Sequence, residues 1–495
     1  MKRILALICA ALLAMLAPAA LAEKTLVAYT GDSAVMFTDS GVVLTNPGDY
    51  PEIYSIGNDD LPREKQLFAY VVPDALHEVV YGYATDDGYE DYVETVYSVG
   101  LMDSAGKELT PCEYNLLTHY PDAGRVVGLR DDGTADVLDE QGNVLFNAPY
   151  DVILPTSPDS YLAAAAENTE SFEDWDFSEG ELTVLDAEGN ATGTGYTVAI
   201  YSLGGFSEGV VPVMAYDPKG DGYVYRYFDA AGRVVIPGPF LYAESFHDGR
   251  AIASSVETGR YGLLDIRGNW TLKPEYEYVF TNNSLENAPY IAQTGDASIV
   301  FYDHDTLAPF LTYEGPEEEY AWASQIDESI LSVQTSETEL LYDTKGNLLN
   351  SINVTDGYFN TYYSFCDGAP GAFTVASGNY PQQNYRIVTL DGETLADGFQ
   401  EVLNLRWRDG HGLYVFSTFE TTEFFYDDGS YLGIDYDTYR MGLMDETGAV
   451  LVPARFISLY ALTADRLWAM DENVCGMIDE HGNWYFQLPV GGALD

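Results

Sequence analysis

The sequence predicts an all-β chain: tandem β-hairpin repeats of about 40 residues, closing like a propeller in preference to an open superhelical array. Three observations predict it. The turn phrase Asp-x-x-Gly recurs, most fully at Asp103 to Gly106, Asp265 to Gly268, Asp445 to Gly448 and Asp479 to Gly482. Copies that keep only the turn run from Asp139, Asp186, Asp229 and Asp343, and Asp303 and Asp391 read as eroded copies. Short apolar segments flank each turn, and a proline often closes the later one, as at Pro111, Pro149, Pro237, Pro274 and Pro453. Successive turn aspartates lie 36, 47, 43, 36, 38 and 40 residues apart up to Asp343, then 48, 54 and 34.

Each element has a physical reason. Aspartate at the first position of a type I turn accepts a hydrogen bond from the backbone two residues on. Glycine at the fourth position supplies a positive φ without steric strain. Alternating apolar residues on both sides suit a hairpin with one buried face. An apolar side chain follows two residues after the glycine, as at Val144, Val234, Trp270, Leu348, Val450 and Trp484. Proline cannot donate to a ladder, so it marks the end or edge of the second strand. An aromatic residue comes next: Tyr114, Tyr150, Phe240, Tyr276 and Phe456. Trp270 and Trp484, in the structural slot, are expected in the core.

A second phrase, aromatic-x-acid-Gly, precedes the turn at Phe206 to Gly209, Phe246 to Gly249, Phe365 to Gly368 and Trp407 to Gly410. It reads as another turn leading into a strand. One repeat therefore holds at least three short strands, and it needs neighbours to bury its apolar face. About ten repeats exceed the usual four to eight blades of a propeller, so either repeats pair into larger blades or the array stays open.

The stretch YGLLDIRGNWTLKPEYEYV (261–279) resembles the WG repeat of bacterial proteins. The match is best over 259–280, good over 440–456 and 474–486, and spreads in degenerate form over about 95–487. The resemblance implies β-rich repeat proteins, often secreted, with no catalytic residues to carry over. Most copies here lack the tryptophan, so no general role attaches to it.

The predicted organisation is a signal peptide at 1–22, a β segment at 23–94 that is a candidate worn repeat, the repeat array at 95–487 and a tail at 488–495. Lys2 and Arg3 precede an apolar run from Ile4 to Leu16, followed by a small-residue cleavage site between Ala22 and Glu23. The run is too short to span a bilayer comfortably. The chain without 1–22 would carry 79 acidic and 20 basic residues, a formal −59 against −57 for the whole sequence. That field disfavours nucleic acid and anionic lipid surfaces and favours cations or basic partners. Cys112, Cys366 and Cys475 form neither a disulfide framework nor a metal pair, and buried free thiols are expected.

No motif commits the chain to chemistry. Gly205 to Gly209 fits G-x-S-x-G, but an apolar strand follows where a nucleophile elbow needs a helix. The histidines 77, 119, 247, 304, 411 and 481 show no ligand spacing. Asp217 with Asp221, and Asp427 with Asp428, are weak calcium candidates that also read as ordinary hairpin turns, as does Asp86-Asp87-Gly88. No other cofactor is expected. Trp175 and Trp322 lie in acidic stretches off the repeat and are the partner-binding candidates. The expectation is a secreted or envelope-associated, non-enzymatic binding or scaffold module for an extracellular protein or glycan. A glycan-active hydrolase or lyase on a propeller-like scaffold, and a structural envelope component, are the alternatives.

Overall fold

The computed structural model describes residues 24–490, except 32, 58–60, 86–87, 167–177, 221, 284, 286, 317–319, 328, 354–356, 361–362, 367–369, 379 and 427–428. The cleavage site at Ala22 and Glu23, Trp175, Asp221, Asp427, Asp428, Asp86 and Asp87 lie outside the described residues. Within them the chain is all β: strands that pair antiparallel, except Phe365–Cys366, which runs parallel to Glu401–Arg408, with three single-turn 3-10 segments and no α-helix. Among the described residues no helix is long and apolar enough to cross a membrane. Two compact bodies form, one from residues 24–131 and 136–145, the other from 132–135 and 146–490.

In the second body the strands form successive antiparallel sheets. A well-formed sheet takes Tyr278–Phe280, Tyr290–Gly295, Ser298–Tyr302 and Pro309–Glu314 in order. The next takes Trp322–Gln325, Ile330–Gln334, Thr338–Asp343 and Leu348–Asn353. The last takes Ser458–Thr463, Arg466–Met470, Val474–Ile478 and Trp484–Pro489. The strands from Val152–Ser157 to Trp270–Tyr276 form one ten-stranded sheet, in which the long strand Val234–Ala243 pairs back through Phe240 to Tyr225 and forward through Tyr242 to Ser254. In the first body, Gly100–Asp103 pairs with Leu67–Val71, which pairs with Glu52–Ser55. Residues on both sides of position 94 thus share a sheet.

The two phrases occupy fixed connections. Asp-x-x-Gly joins the third strand to the fourth. Each turn aspartate accepts, through Oδ1, from the amides two and four residues on, as Asp265 does from Arg267 (2.9 Å) and Asn269 (2.8 Å). Asp103, Asp445 and Asp479 do the same, and Gly106, Gly268, Gly448 and Gly482 all take positive φ between 77° and 80°. An asparagine directly after the glycine adds a side-chain donor to Asp139, Asp186, Asp265, Asp343 and Asp479. Sequence reasoning passed over this residue. It also misplaced one copy: the turn near Asp391 starts at Thr389, whose carbonyl accepts from Gly392 (2.9 Å) and whose hydroxyl accepts from Glu393 (3.1 Å). Threonine offers an oxygen of similar reach, so it replaces the aspartate.

Aromatic-x-acid-Gly joins the first strand to the second. Glu208, Asp248 and Asp409 have φ near 50°, each followed by a glycine of positive φ, which makes a two-residue hairpin of the primed type. Ser207 and Val210 exchange both backbone bonds across one such turn, and Ser207 Oγ donates to the Phe246 carbonyl (2.7 Å). The strand Val210–Asp217 follows it, so no nucleophile elbow forms.

The core lies between successive sheets. Ile252 and Leu263 pack forward against Val279 and Ala292, while Ala251, Ala253 and Leu264 pack back against Tyr227 and Ile236. The second and third strands are therefore covered on both faces, where the sequence suggested one. This explains apolar runs such as Ile330–Gln334, buried at four of five positions. Trp270 and Trp484 are half-buried and not central. Each stands edge-on to the post-proline aromatic of the preceding repeat, Phe240 at 5.9 Å and Phe456 at 6.0 Å. No disulfide forms among the described residues; Cys475 is buried, Cys112 half-buried and Cys366 exposed, so burial holds for one thiol of the three.

The turns carry a pH dependence. The asparagine side-chain amide holds Asp186, Asp265 and Asp343 below the usual carboxylate range. A folded pKa below the unfolded one means that the unfolded chain binds more protons as pH falls. The turns' contribution is complete above about pH 4 and is lost as pH drops through the folded values. The urea midpoint is expected to fall steeply below about pH 4, and less steeply for Asn269→Ala. Equal slopes for the two proteins would show that the turns do not drive the acid transition.

Candidate functional site

Six aromatic rings make an unbroken strip across three successive sheets of the second body. Tyr225 meets Tyr242 at 6.1 Å between centroids, Tyr242 meets Tyr261 at 5.8 Å and Tyr261 meets Tyr278 at 5.7 Å. Tyr278 meets Phe280 at 5.8 Å, and Phe280 stacks on Trp322 at 5.3 Å with planes 7° apart. The sheets place them. Tyr278 and Trp322 lie on the first strands of their sheets, where no earlier strand of the same sheet covers them, and Tyr242 lies on Val234–Ala243 next to the strand of Tyr225. Tyr242 and Tyr261 both pair with Ser254, so the register puts the two rings on one row.

The strip is open to solvent. Tyr242 is 38% exposed, Tyr278 45% and Trp322 43%, and the other three rings are half-buried. A contiguous aromatic surface of this kind marks an interaction site more often than isolated exposed rings do. Tyrosine supplies flat contact area at small entropic cost, with a hydroxyl for hydrogen bonding. The polar surroundings are specific. Tyr242 donates to Glu244 (3.0 Å), Arg260 pairs with Glu277 (2.8 Å) and Arg226 pairs with Asp217 (3.3 Å). Burial and then the Glu244 carboxylate raise the Tyr242 phenol, and burial raises Glu244 itself.

Trp322 was expected to be exposed because it stood off the repeat. It is exposed, but it opens a regular sheet and closes the strip. The remaining rings were missed. Their trace in the sequence is a tyrosine spacing of 17, 19 and 17 residues from Tyr225 to Tyr278. Asp217 accepts from the Lys219 amide (3.1 Å) and faces Arg226, an ordinary turn with its charge already paired. The described residues bring no three metal-ligating side chains together.

Two other concavities lie in this body. A cleft of about 510 Å³ near Arg406, Arg408 and His411 is filled with charges that satisfy each other. Arg406 pairs with Glu480, Arg408 with Asp465, and His411 with Glu446 at 3.0 Å, which raises the imidazole pKa. These pairs include links between consecutive sheets. A smaller space of about 450 Å³ is lined by Asn287, His304 and Gln325, with His304 stacked on Tyr290 at 5.6 Å.

No family model matches the chain, and no curated protein does. Three solved structures show a loose likeness at low identity. BamB from Moraxella catarrhalis is 12% identical over 74% of this chain and 93% of its own, with a TM-score of 0.24. Apo AztD from Citrobacter koseri is 11% identical over 76% and 94%, at 0.27. The WD40 domain of SCAP from fission yeast is 10% identical over 89% and 98%, at 0.25. At such values no property of those proteins transfers to this chain.

Proposed function

We propose that the chain is a secreted WG-type repeat protein of the bacterial envelope or exterior, and that it acts as a binding module whose aromatic strip holds an extended glycan. The strip itself carries the reading: six rings in contact across three sheets, three of them more than one third exposed. Ring faces accept the apolar faces of sugars, and the flanking hydroxyls and carboxylates accept or donate to sugar hydroxyls. The charged start and small-residue cleavage site support export. The charge of −57 argues against polyanionic ligands.

The test is co-sedimentation of the chain from residue 23 onward with cell-wall sacculi and neutral insoluble polysaccharides, at low and physiological salt. Retention that survives physiological salt is expected. Tyr242→Ala, Tyr278→Ala and Trp322→Ala should each weaken it roughly ten-fold. Tyr380→Ala, at a tyrosine 60% exposed and outside the strip, should leave it unchanged. Retention unaffected by all three strip substitutions would refute this reading, and release of soluble sugar would point to a glycan-active enzyme.

A further inference from the structure

Three features of the strip favour one kind of glycan. First, its ring faces carry no internal cation. Among the described residues, arginines stand over the rings of Tyr114, Tyr290, Phe456 and Tyr485, and over none of the six rings of the strip. Arg226 and Arg260, the arginines beside the strip, are tied to Asp217 and Glu277. Second, among the described residues Glu244 has no basic partner in a salt bridge; its carboxylate accepts from Tyr242, so one negative charge beside the strip is unbalanced. Third, the chain carries −57, which concentrates cations at its surface.

An aromatic face attracts an ammonium group through its quadrupole, and an adjacent carboxylate strengthens that attraction. A neutral sugar gains from neither. The steps between rings are also even, between 5.3 and 6.1 Å, which suits a ligand that repeats regularly better than a basic peptide of irregular sequence.

We infer that the strip selects a glycan bearing free amino groups, a de-N-acetylated amino-sugar polymer. The inference rests on the reading of the strip as a glycan contact. Each protonated amine would lie against a tyrosine face, with Glu244 as the charge partner of the one nearest Tyr242.

The test compares chitin with partly deacetylated chitin, at physiological salt and a mildly acidic pH that protonates the amines. The intact chain is expected to bind the deacetylated polymer about ten-fold more tightly. Glu244→Gln should weaken binding to the deacetylated polymer more than binding to chitin, and so reduce that preference. Tyr242→Ala with Tyr278→Ala should weaken binding to both polymers while keeping the net charge. Equal binding to both polymers by the intact chain overturns the inference and leaves the glycan reading standing. A preference that persists undiminished in the double tyrosine variant shows diffuse charge attraction and also overturns it. Strip-dependent binding to polylysine beads, without preference for the deacetylated polymer, would mean a basic peptide partner and overturn it too. Binding to no glycan at all defeats the underlying reading.

Discussion

Replacing Gly262 with alanine is expected to destabilise the fold by at least about 2 kcal/mol, against no more than about 0.5 for Gly204→Ala. Gly262 follows the tyrosine of the repeat phrase, on the third strand of its repeat. A Cβ there would sit 2.4 Å from the Leu272 carbonyl oxygen and 2.8 Å from the Lys273 carbonyl carbon. The neighbours are backbone of the fourth strand, at a point where the pairing register shifts around Leu263, so no side chain can swing aside. The same approach recurs ten residues on from three sister glycines: Gly100 to Thr110, Gly442 to Val452 and Gly476 to Phe486. A bulge in the fourth strand turns a carbonyl toward the third, and only glycine leaves room. Gly204 has no atom within 4 Å of its Cβ position, so it serves as the control. Urea unfolding of the two variants measures the contrast. Similar midpoints would show that the fourth strand gives way without strain.

Glu339→Gln is expected to stabilise the protein at pH 8, by a figure on the order of 2–3 kcal/mol. Glu339 is 4% exposed on a third strand, and its carboxylate accepts a hydrogen bond from the Ser332 hydroxyl. Burial pushes its carboxyl up to about 7. The sign is opposite to that of the turn aspartates. Between the unfolded value, about 4.3, and the folded one, the folded state keeps a proton that the unfolded state has released, so stability falls as pH rises through that window. Glutamine has no charge to bury, and its amide oxygen still accepts from Ser332. The gain should therefore be small at pH 4 and full by pH 8, read as the difference in urea midpoint between the two proteins. A variant destabilised at both pH values would mean that the carboxylate has a partner whose loss outweighs its burial.

Much of the fold was readable because its rules are local. The bond from Asp265 to the amide two residues on needs no knowledge of tertiary structure, and neither does the positive φ of Gly268. The Thr389 turn was misplaced because a weaker consensus permits a shift of two residues. The reason for Gly262 was out of reach: it depends on the register of the next strand, which period-two alternation does not reveal at a bulge. Burial on both faces was also hidden, since it comes from adjacent sheets and not from the hairpin. The strip is the extreme case. Phe280 and Trp322 stack although 42 positions separate them, and only the succession of sheets brings them together.

Where they occur, both turn phrases lie at the same edge of a sheet, because the first and third connections of a meander share an edge. The opposite edge carries the second connection, and there length is free. It shrinks to Asp296 and Ala297 between Gly295 and Ser298, and grows elsewhere into paired strands that run out to Tyr426 and Gly429. In the first body the same connection holds the hairpin of Leu76–Thr85 and Gly88–Tyr97. One rim of each sheet is thus fixed by hydrogen-bond chemistry and the other is permissive. For anyone wishing to display foreign loops, the permissive rim is the place to graft, since an insert there leaves every Asp-x-x-Gly turn intact.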